Sequence, residues 1–188
     1  LEGLPNQCLE MRFFGSAMRM PHVQGAFRNM LLCQAEQCHP VADGVPLTQL
    51  SPASTAKLEA LLDPGLPAVN PLDAWSTGGP DYHRTMEECF NTLMSDPEAA
   101  IGAVIHDRAP GGGIFADYVT YLRTGHGASG KPAFLVANRQ GSGADRLVVE
   151  ATREGFPVVD GMTSFLRGVR HLLDHRDFTA RARADAPV

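Results

Sequence analysis

Apolar residues recur at helical spacing in six segments of the chain. Phe27, Met30, Leu31, Ala35 and Cys38 form a first stripe that stops before Pro40, and Leu58, Leu61 and Leu62 form a second. Tyr82, Met86, Cys89, Phe90 and Leu93 make a third; Phe115, Tyr118, Val119 and Leu122 make a fourth, ending at Gly125. The fifth holds Ala144, Leu147, Val148 and Ala151 and ends at Gly155, and the sixth holds Met162, Phe165, Leu166, Val169 and Leu173. Ser54 reads as the N-cap of the second helix, because its hydroxyl can accept from a first-turn amide, and Pro64-Gly65 reads as that helix's stop.

Between the helical stripes lie short apolar runs at 66–69, 101–105, 133–137 and 157–159, each bounded by turn formers. Runs this short, without polar alternation, suit strands covered on both faces. Their alternation with helices predicts βαβ units, hence an α/β fold: a doubly wound, mostly parallel sheet with helices on both faces. Residues 11–14 read as a further strand and 45–50 as a short extended piece. The expected organisation is an atypical N-terminal segment over 1–24, one domain over 25–178, and an Ala/Arg/Asp-rich tail over 179–188 that frays.

A chain of 188 residues is long enough for one such domain with a sizeable core. Sixteen Lys+Arg against 21 Asp+Glu leave a net charge of −5, which argues against binding a nucleic-acid backbone. No run of eighteen apolar residues is present, so no membrane span is expected. The first twenty residues mix Glu, Asn, Gln and Arg among apolar ones and contain no signal-peptide core, while a leading Leu in place of Met points to a piece of something longer. Cys8, Cys33, Cys38 and Cys89 form no CxxC pair and read as small buried hydrophobes in a reducing compartment, which places the protein in the cytoplasm.

In an open parallel sheet, ligands bind beyond the carboxyl ends of the strands, where helix N-termini present unpaired amides. Two segments fall at that edge. Asn70-Pro71-Leu72-Asp73-Ala74-Trp75 and its following glycines come after the run at 66–69, and His106-Asp107-Arg108 with Gly111, Gly112 and Gly113 comes after the run at 101–105. Glycines let backbone approach an anion closely, and the next helix supplies a positive dipole end. Asp73 can pair with an imidazole or cap the next helix; Trp75 fits an interface or ligand edge as well as a core. His106 is the histidine best placed for a role, with a structural or water-facing imidazole as the alternative. His171 and His175 stand four apart on the last helix but lack a third ligand, so no metal site is expected. G-x-S-x-G, G-x-x-x-x-G-K-[ST] and G-x-G-x-x-G are all missing, which removes the main support for hydrolase, P-loop and dinucleotide readings.

The stretch Val45-Pro46-Leu47-Thr48-Gln49-Leu50-Ser51, the helix with Leu58 and Leu61, and then Asn70-Pro71-Leu72-Asp73 resemble the NDP-forming acyl-CoA synthetases. In those proteins such a passage opens a flavodoxin-like subdomain related to the C-terminal domain of the succinyl-CoA synthetase β subunit. The order continues through the Tyr82 helix to Asp96-Pro97, then Ala103-Val104-Ile105, Lys131-Pro132 and Gly155-Phe156-Pro157-Val158, so the resemblance spans about 25–178.

The resemblance implies an acid–thiol ligase that couples ATP or GTP, an acyl group and CoA through an acyl phosphate and a phosphohistidine. This chain would be one flavodoxin-like subdomain of it, inactive alone. Its partners would be the CoA-binding and ATP-grasp domains; CoA, ATP and Mg are implied for the full enzyme, and none of them is assigned to this chain itself. Helix N-termini of paired flavodoxin-like domains would cradle the phosphohistidine, here near Gly25-Ala26-Phe27-Arg28, with Asn70 and Asp73 supporting that site and Gly25, Gly111, Gly112 and Gly113 as phosphate-loop positions. The chain departs from the family where Met18-Arg19-Met20-Pro21-His22-Val23-Gln24-Gly25 replaces a clean strand and a Ser-Gly-Gly-like turn. It also carries no phosphohistidine motif. A non-catalytic subunit-interaction module of the same fold is the alternative, and a free-standing binder of a small phosphorylated ligand a third reading.

Overall fold

A computed structural model of the chain describes residues 45–74, 80–106, 114–137 and 145–184. The sequence expectations at 1–24, at Gly25, for the strand at 11–14 and the helix through Phe27 and Cys38, at Trp75, and at Gly111, Gly112 and Gly113 lie outside them. The described elements are α1 (Pro52–Leu61), α2 (Tyr82–Ser95), β1 (Gly102–His106), α3 (Ala116–Ser129), β2 (Ala133–Ala137), α4 (Arg146–Arg153), β3 (Val158–Asp160) and α5 (Met162–Ala184).

The three strands form a parallel sheet in the order β1-β2-β3. Gly102 to His106 pair in register with Ala133 to Ala137, and Leu135 to Ala137 with Val158 to Asp160, so His106, Ala137 and Asp160 finish level at one edge. Alternate residues of each strand enter two separate cores. Ala103, Ile105, Phe134, Val136 and Val159 meet Phe165, Leu166, Val169, Leu172 and Leu173 of α5, together with Val45. Val104, Ala133 and Leu135 meet α2, α3 and α4 through Phe90, Met94, Val119, Leu122, Val148 and Ala151. Burial on both faces is why the strands read as unbroken apolar runs, and helices on both faces make this the α/β, flavodoxin-like architecture the alternation predicts.

Because α2 leads into β1 and α3 leaves it, the two helices pack side by side and parallel. Gly125 makes the close approach possible: a Cβ there would lie 2.7 Å from the Phe90 ring. This packing also carries α3 four residues past the glycine at which the sequence predicts its end, to Ser129, where Gly130 caps it at φ 67. A third core of Leu58, Leu62, Leu72, Cys89 and Leu93 fastens α1 and the following chain onto α2.

Two further sequence expectations need correction. The run at 66–69 is an extended connection and not a strand: Pro67 supplies no ladder donor, and Val69 is half exposed where a central strand would bury it. The N-cap of α1 is Ser51, whose hydroxyl accepts from the Ser54 amide; Ser54 sits inside the helix and is buried, because Pro52 suits the first helical position and starts the helix earlier.

Candidate functional site

At the carboxyl edge of β1 the N-termini of α2 and α3 lie together, and the side chains they bring are aromatic and titratable. All three tyrosines of the chain stand here. Tyr118 and Tyr121 pack edge to face with ring centroids 5.7 Å apart, and Phe115, at the exposed end, continues the row at 5.7 Å. His83 Nδ1 is 2.8 Å from the Tyr121 hydroxyl and 3.7 Å from Asp117 Oδ2. Burial pushes the Tyr82 and Tyr121 phenols well above the ordinary range; Tyr118 and then Asp73 and Asp117 add to the first shift, Tyr82, Asp117, Tyr118 and Glu87 to the second. Both phenols are therefore held protonated, and Tyr121 and His83 share a hydrogen bond whose direction follows the imidazole tautomer. Asp117 and Asp81 occupy the helix starts, where carboxylates complement the dipole.

One carboxylate organises the edge further along. Asp145, the N-cap of α4, accepts from the Leu147 amide at 2.8 Å through Oδ1 and from the Ile114 amide at 2.6 Å through Oδ2. It joins the start of α4 to the residue just before the N-cap of α3. The N-terminus of α4 is thus filled by a side chain, whereas the N-cap of α3, Phe115, provides no side-chain hydrogen bond.

Asn70 and Asp73 face different neighbours. Asn70 Nδ2 donates to the Thr48 carbonyl at 3.1 Å and lines an open pocket of about 370 Å³ with Leu47, Gln49, Leu50, Thr55 and Val69. Thr48 in turn donates to the Glu98 carbonyl, just before β1, so this pocket belongs to the amino side of the sheet. Asp73 is half-buried and acts on Tyr82, at the carboxyl side. The N-cap of α2 is Asp81. His106 ends β1 as expected, and His171 and His175 are exposed on α5. Among the described residues no three His, Cys, Asp or Glu side chains gather as a metal would need, and no helix is long and apolar enough to cross a membrane.

His83, Tyr121, Asp117 and Asp145 escape sequence reasoning. Tyr82 and Tyr118 enter it only as apolar positions of their stripes, and nothing local shows that the helices beginning at Tyr82 and Ala116 lay their first turns together. Asp145 alone carries a legible sign, a capping residue directly before an apolar helical stripe.

The fold and edge together define a flavodoxin-like α/β domain. No family model matches the chain. Among solved structures it is similar to the dinucleotide forming acetyl-coenzyme A synthetase 1 of Ca. Korarchaeum cryptofilum in complex with phosphate and ADP, with a TM-score of 0.71 at 10% identity over 100% of this chain and 40% of that one. The apo form of that synthetase matches with a TM-score of 0.62 at 10% identity, over 97% of this chain and 44% of the other. A structure from Pyrococcus horikoshii OT3 matches with a TM-score of 0.58 at 16% identity, over 85% and 37%. The chain thus spans less than half the length of each, and what it shares with them is the fold. Over 40 residues it is also 50% identical to the L-idonate 5-dehydrogenase (NAD(P)(+)) of Escherichia coli K12, a stretch that makes up 21% of this chain and 12% of that enzyme.

Proposed function

We propose that this chain is one flavodoxin-like unit of an NDP-forming acyl-CoA synthetase, an acid–thiol ligase working through an acyl phosphate and a phosphohistidine. It acts with CoA-binding and ATP-grasp partners that supply CoA, ATP and Mg, and is inactive alone. One coincidence carries the reading. The ordered sequence passages from Val45 to Pro157 that resemble this family fall on a fold found along the full chain in an acetyl-coenzyme A synthetase structure that holds phosphate and ADP.

On this reading the chain's own contribution is a place for a phosphate group at the carboxyl edge. α2 and α3 both begin at this edge without a side-chain cap and can offer first-turn amides to an anion, whereas Asp145 already fills the start of α4. Gly111, Gly112 and Gly113 immediately precede Ile114 in sequence and would let backbone close on the anion; Gly25 joins the same proposal on sequence alone. Asp73 reaches the edge through Tyr82, whereas Asn70 bonds to Thr48 on the amino side of the sheet.

Thermal unfolding of the purified chain with inorganic phosphate, ADP and CoA tests this. Phosphate or ADP at a hundred times its dissociation constant should stabilise the fold by about 2.7 kcal/mol, and acyl-CoA formation should appear only when the partner domains are added. Turnover by the chain alone, or no shift with any of the three ligands, overturns the proposal. The exposed Phe115, 40% accessible at the head of the tyrosine row, favours the interaction module as the second reading. In that case light scattering reports a complex with the partner domains while phosphate gives no shift.

A further inference from the structure

We propose that the open pocket on the amino side of the sheet is a further ligand site, built for a small uncharged molecule that joins an amide to a branched aliphatic group. The pocket, about 370 Å³, lies between residues 47–50, the first turn of α1 at Thr55, and residues 68–70. Its walls are tied in place without a ligand. Thr48 is 2% exposed and its hydroxyl donates to the Glu98 carbonyl, while its own carbonyl accepts from Asn70 Nδ2 at 3.1 Å and so joins the two walls. The Val69 amide donates to the Pro67 carbonyl at 3.0 Å, and the Ser51 amide, next after Leu50, donates to Asp96 Oδ2 at 2.9 Å. Leu50 and Ala68 pack on the third core of Leu58, Leu62 and Leu72, which gives the pocket an apolar base. A cavity held this way loses little freedom when it is filled, and its volume falls at the small end of the range of ligand pockets, about 300–1,000 Å³.

The lining decides the chemistry. Among the described residues that line the pocket there is no Lys, Arg, His, Asp or Glu, so a phosphate, carboxylate or ammonium group would give up hydration there without meeting a counter-charge. There is no aromatic ring either, so a nucleobase finds nothing to stack on. What remains is aliphatic contact from Leu47, Leu50, Ala68 and Val69, beside the amides of Gln49 and Asn70 and the hydroxyl of Thr55. Those polar groups offer donors and acceptors together, the pairing that an amide requires. A branched aliphatic group fits the remaining wall, and it would cover Val69, which is 50% exposed. The site lies away from the carboxyl edge and does not depend on the phosphate reading.

The test titrates the full, isotope-labelled chain by NMR with N-acetyl-leucinamide, which is uncharged, and with its charged relatives N-acetyl-leucine and leucinamide. At ordinary binding efficiency per atom, a molecule of this size has a dissociation constant of about 2 mM. The uncharged amide should move the backbone signals of Thr48, Gln49, Thr55, Val69 and Asn70 saturably, and the charged relatives should bind about tenfold more weakly. Val69→Lys alters a half-exposed position, so its urea midpoint should hold while affinity for the uncharged amide falls about fivefold or more. Gln49→Ala, also at an exposed position, removes one polar partner and serves as the second variant, with a loss of about fivefold. No saturable shift at about ten times the expected dissociation constant, equal affinity for the charged relatives, or unchanged affinity in both variants overturns the proposal. Inorganic phosphate should leave these five signals in place whatever it does at the carboxyl edge, so failure of the phosphate reading does not touch this one; phosphate that competes with the uncharged amide overturns it.

Discussion

Replacing Asp96 with alanine should untie the start of α1 from the turn that enters β1 and destabilise the fold. Asp96 is the C-cap residue of α2 and only 1% exposed. Its Oδ2 accepts from the Ser51 amide at 2.9 Å, its Oδ1 from the Glu98 amide at 2.9 Å, and its carbonyl oxygen from Lys131 Nζ at 2.5 Å. The side chain thus holds the start of α1 against the turn that enters β1. Hydrogen bonds to a charged group are worth about 1.5–3 kcal/mol each, and two orphaned amides remain after truncation, so Asp96→Ala should cost about 3–4 kcal/mol. With a urea dependence of about 2 kcal/mol per molar, the unfolding midpoint drops by about 1.5–2 M, read by circular dichroism at neutral pH. Burial works against the charged carboxylate, but hydrogen bonds from the Ser54 hydroxyl, the Ser51 and Glu98 amides and the Ser51 hydroxyl outweigh it and hold the group below the usual carboxylate range. A carboxylate whose folded pKa is depressed contributes stability above its unfolded pKa and loses it as pH falls toward the folded value. The midpoint of the unaltered protein should therefore decline below about pH 4, near the pKa of a free Asp, more steeply than that of Asp96→Asn. A midpoint shift under 0.5 M for Asp96→Ala, or equal acid slopes for the two proteins, refutes the account.

Three other outcomes follow from the same packing. Gly125→Ala meets the rigid Phe90 ring at 2.7 Å and should lose about 1–2 kcal/mol despite alanine's better helix propensity, whereas Gly127→Ala, with nothing within 4 Å, should gain about 0.5–1 kcal/mol; urea melts of both decide it. Spectrophotometric titration should show at most one of the three tyrosines ionising with an ordinary phenol pKa before the protein unfolds, because burial raises Tyr82 and Tyr121; stability then falls with pH once the unfolded phenols ionise. The Cys89 thiol, pushed up to about 11 by burial and then by Glu88, should resist alkylation at pH 8 until denaturant is added, as mass spectrometry of its peptide would report.

Strand and helix periodicity carried most of the fold into view. The run at 133–137 is β2 to the residue, and β1 and β3 lie one residue on from theirs, because strands covered on both faces leave an unmistakable apolar block. The run at 66–69 is also apolar, yet its burial is one-sided, which composition does not register, and Pro67 within it is the legible sign against a central strand. Caps were harder: Ser51 and Ser54 both suit an N-cap, and Pro52 between them decides which serves. The site was the least legible part. Glycines and a family-like passage drew attention to Asn70 and Asp73, while the contacts that define the edge, His83 with Tyr121 and Asp145 with Ile114, join residues 38 and 31 apart. Such pairs exist only after the sheet has fixed which helices begin side by side.

The strands of this sheet lie next to one another in the order in which the chain runs. Among the described residues each new strand thus needs only its immediate predecessor as a template. A nascent chain could extend this sheet strand by strand as it leaves the ribosome, with α5 arriving after β3 to close the face that β1 to β3 present to it.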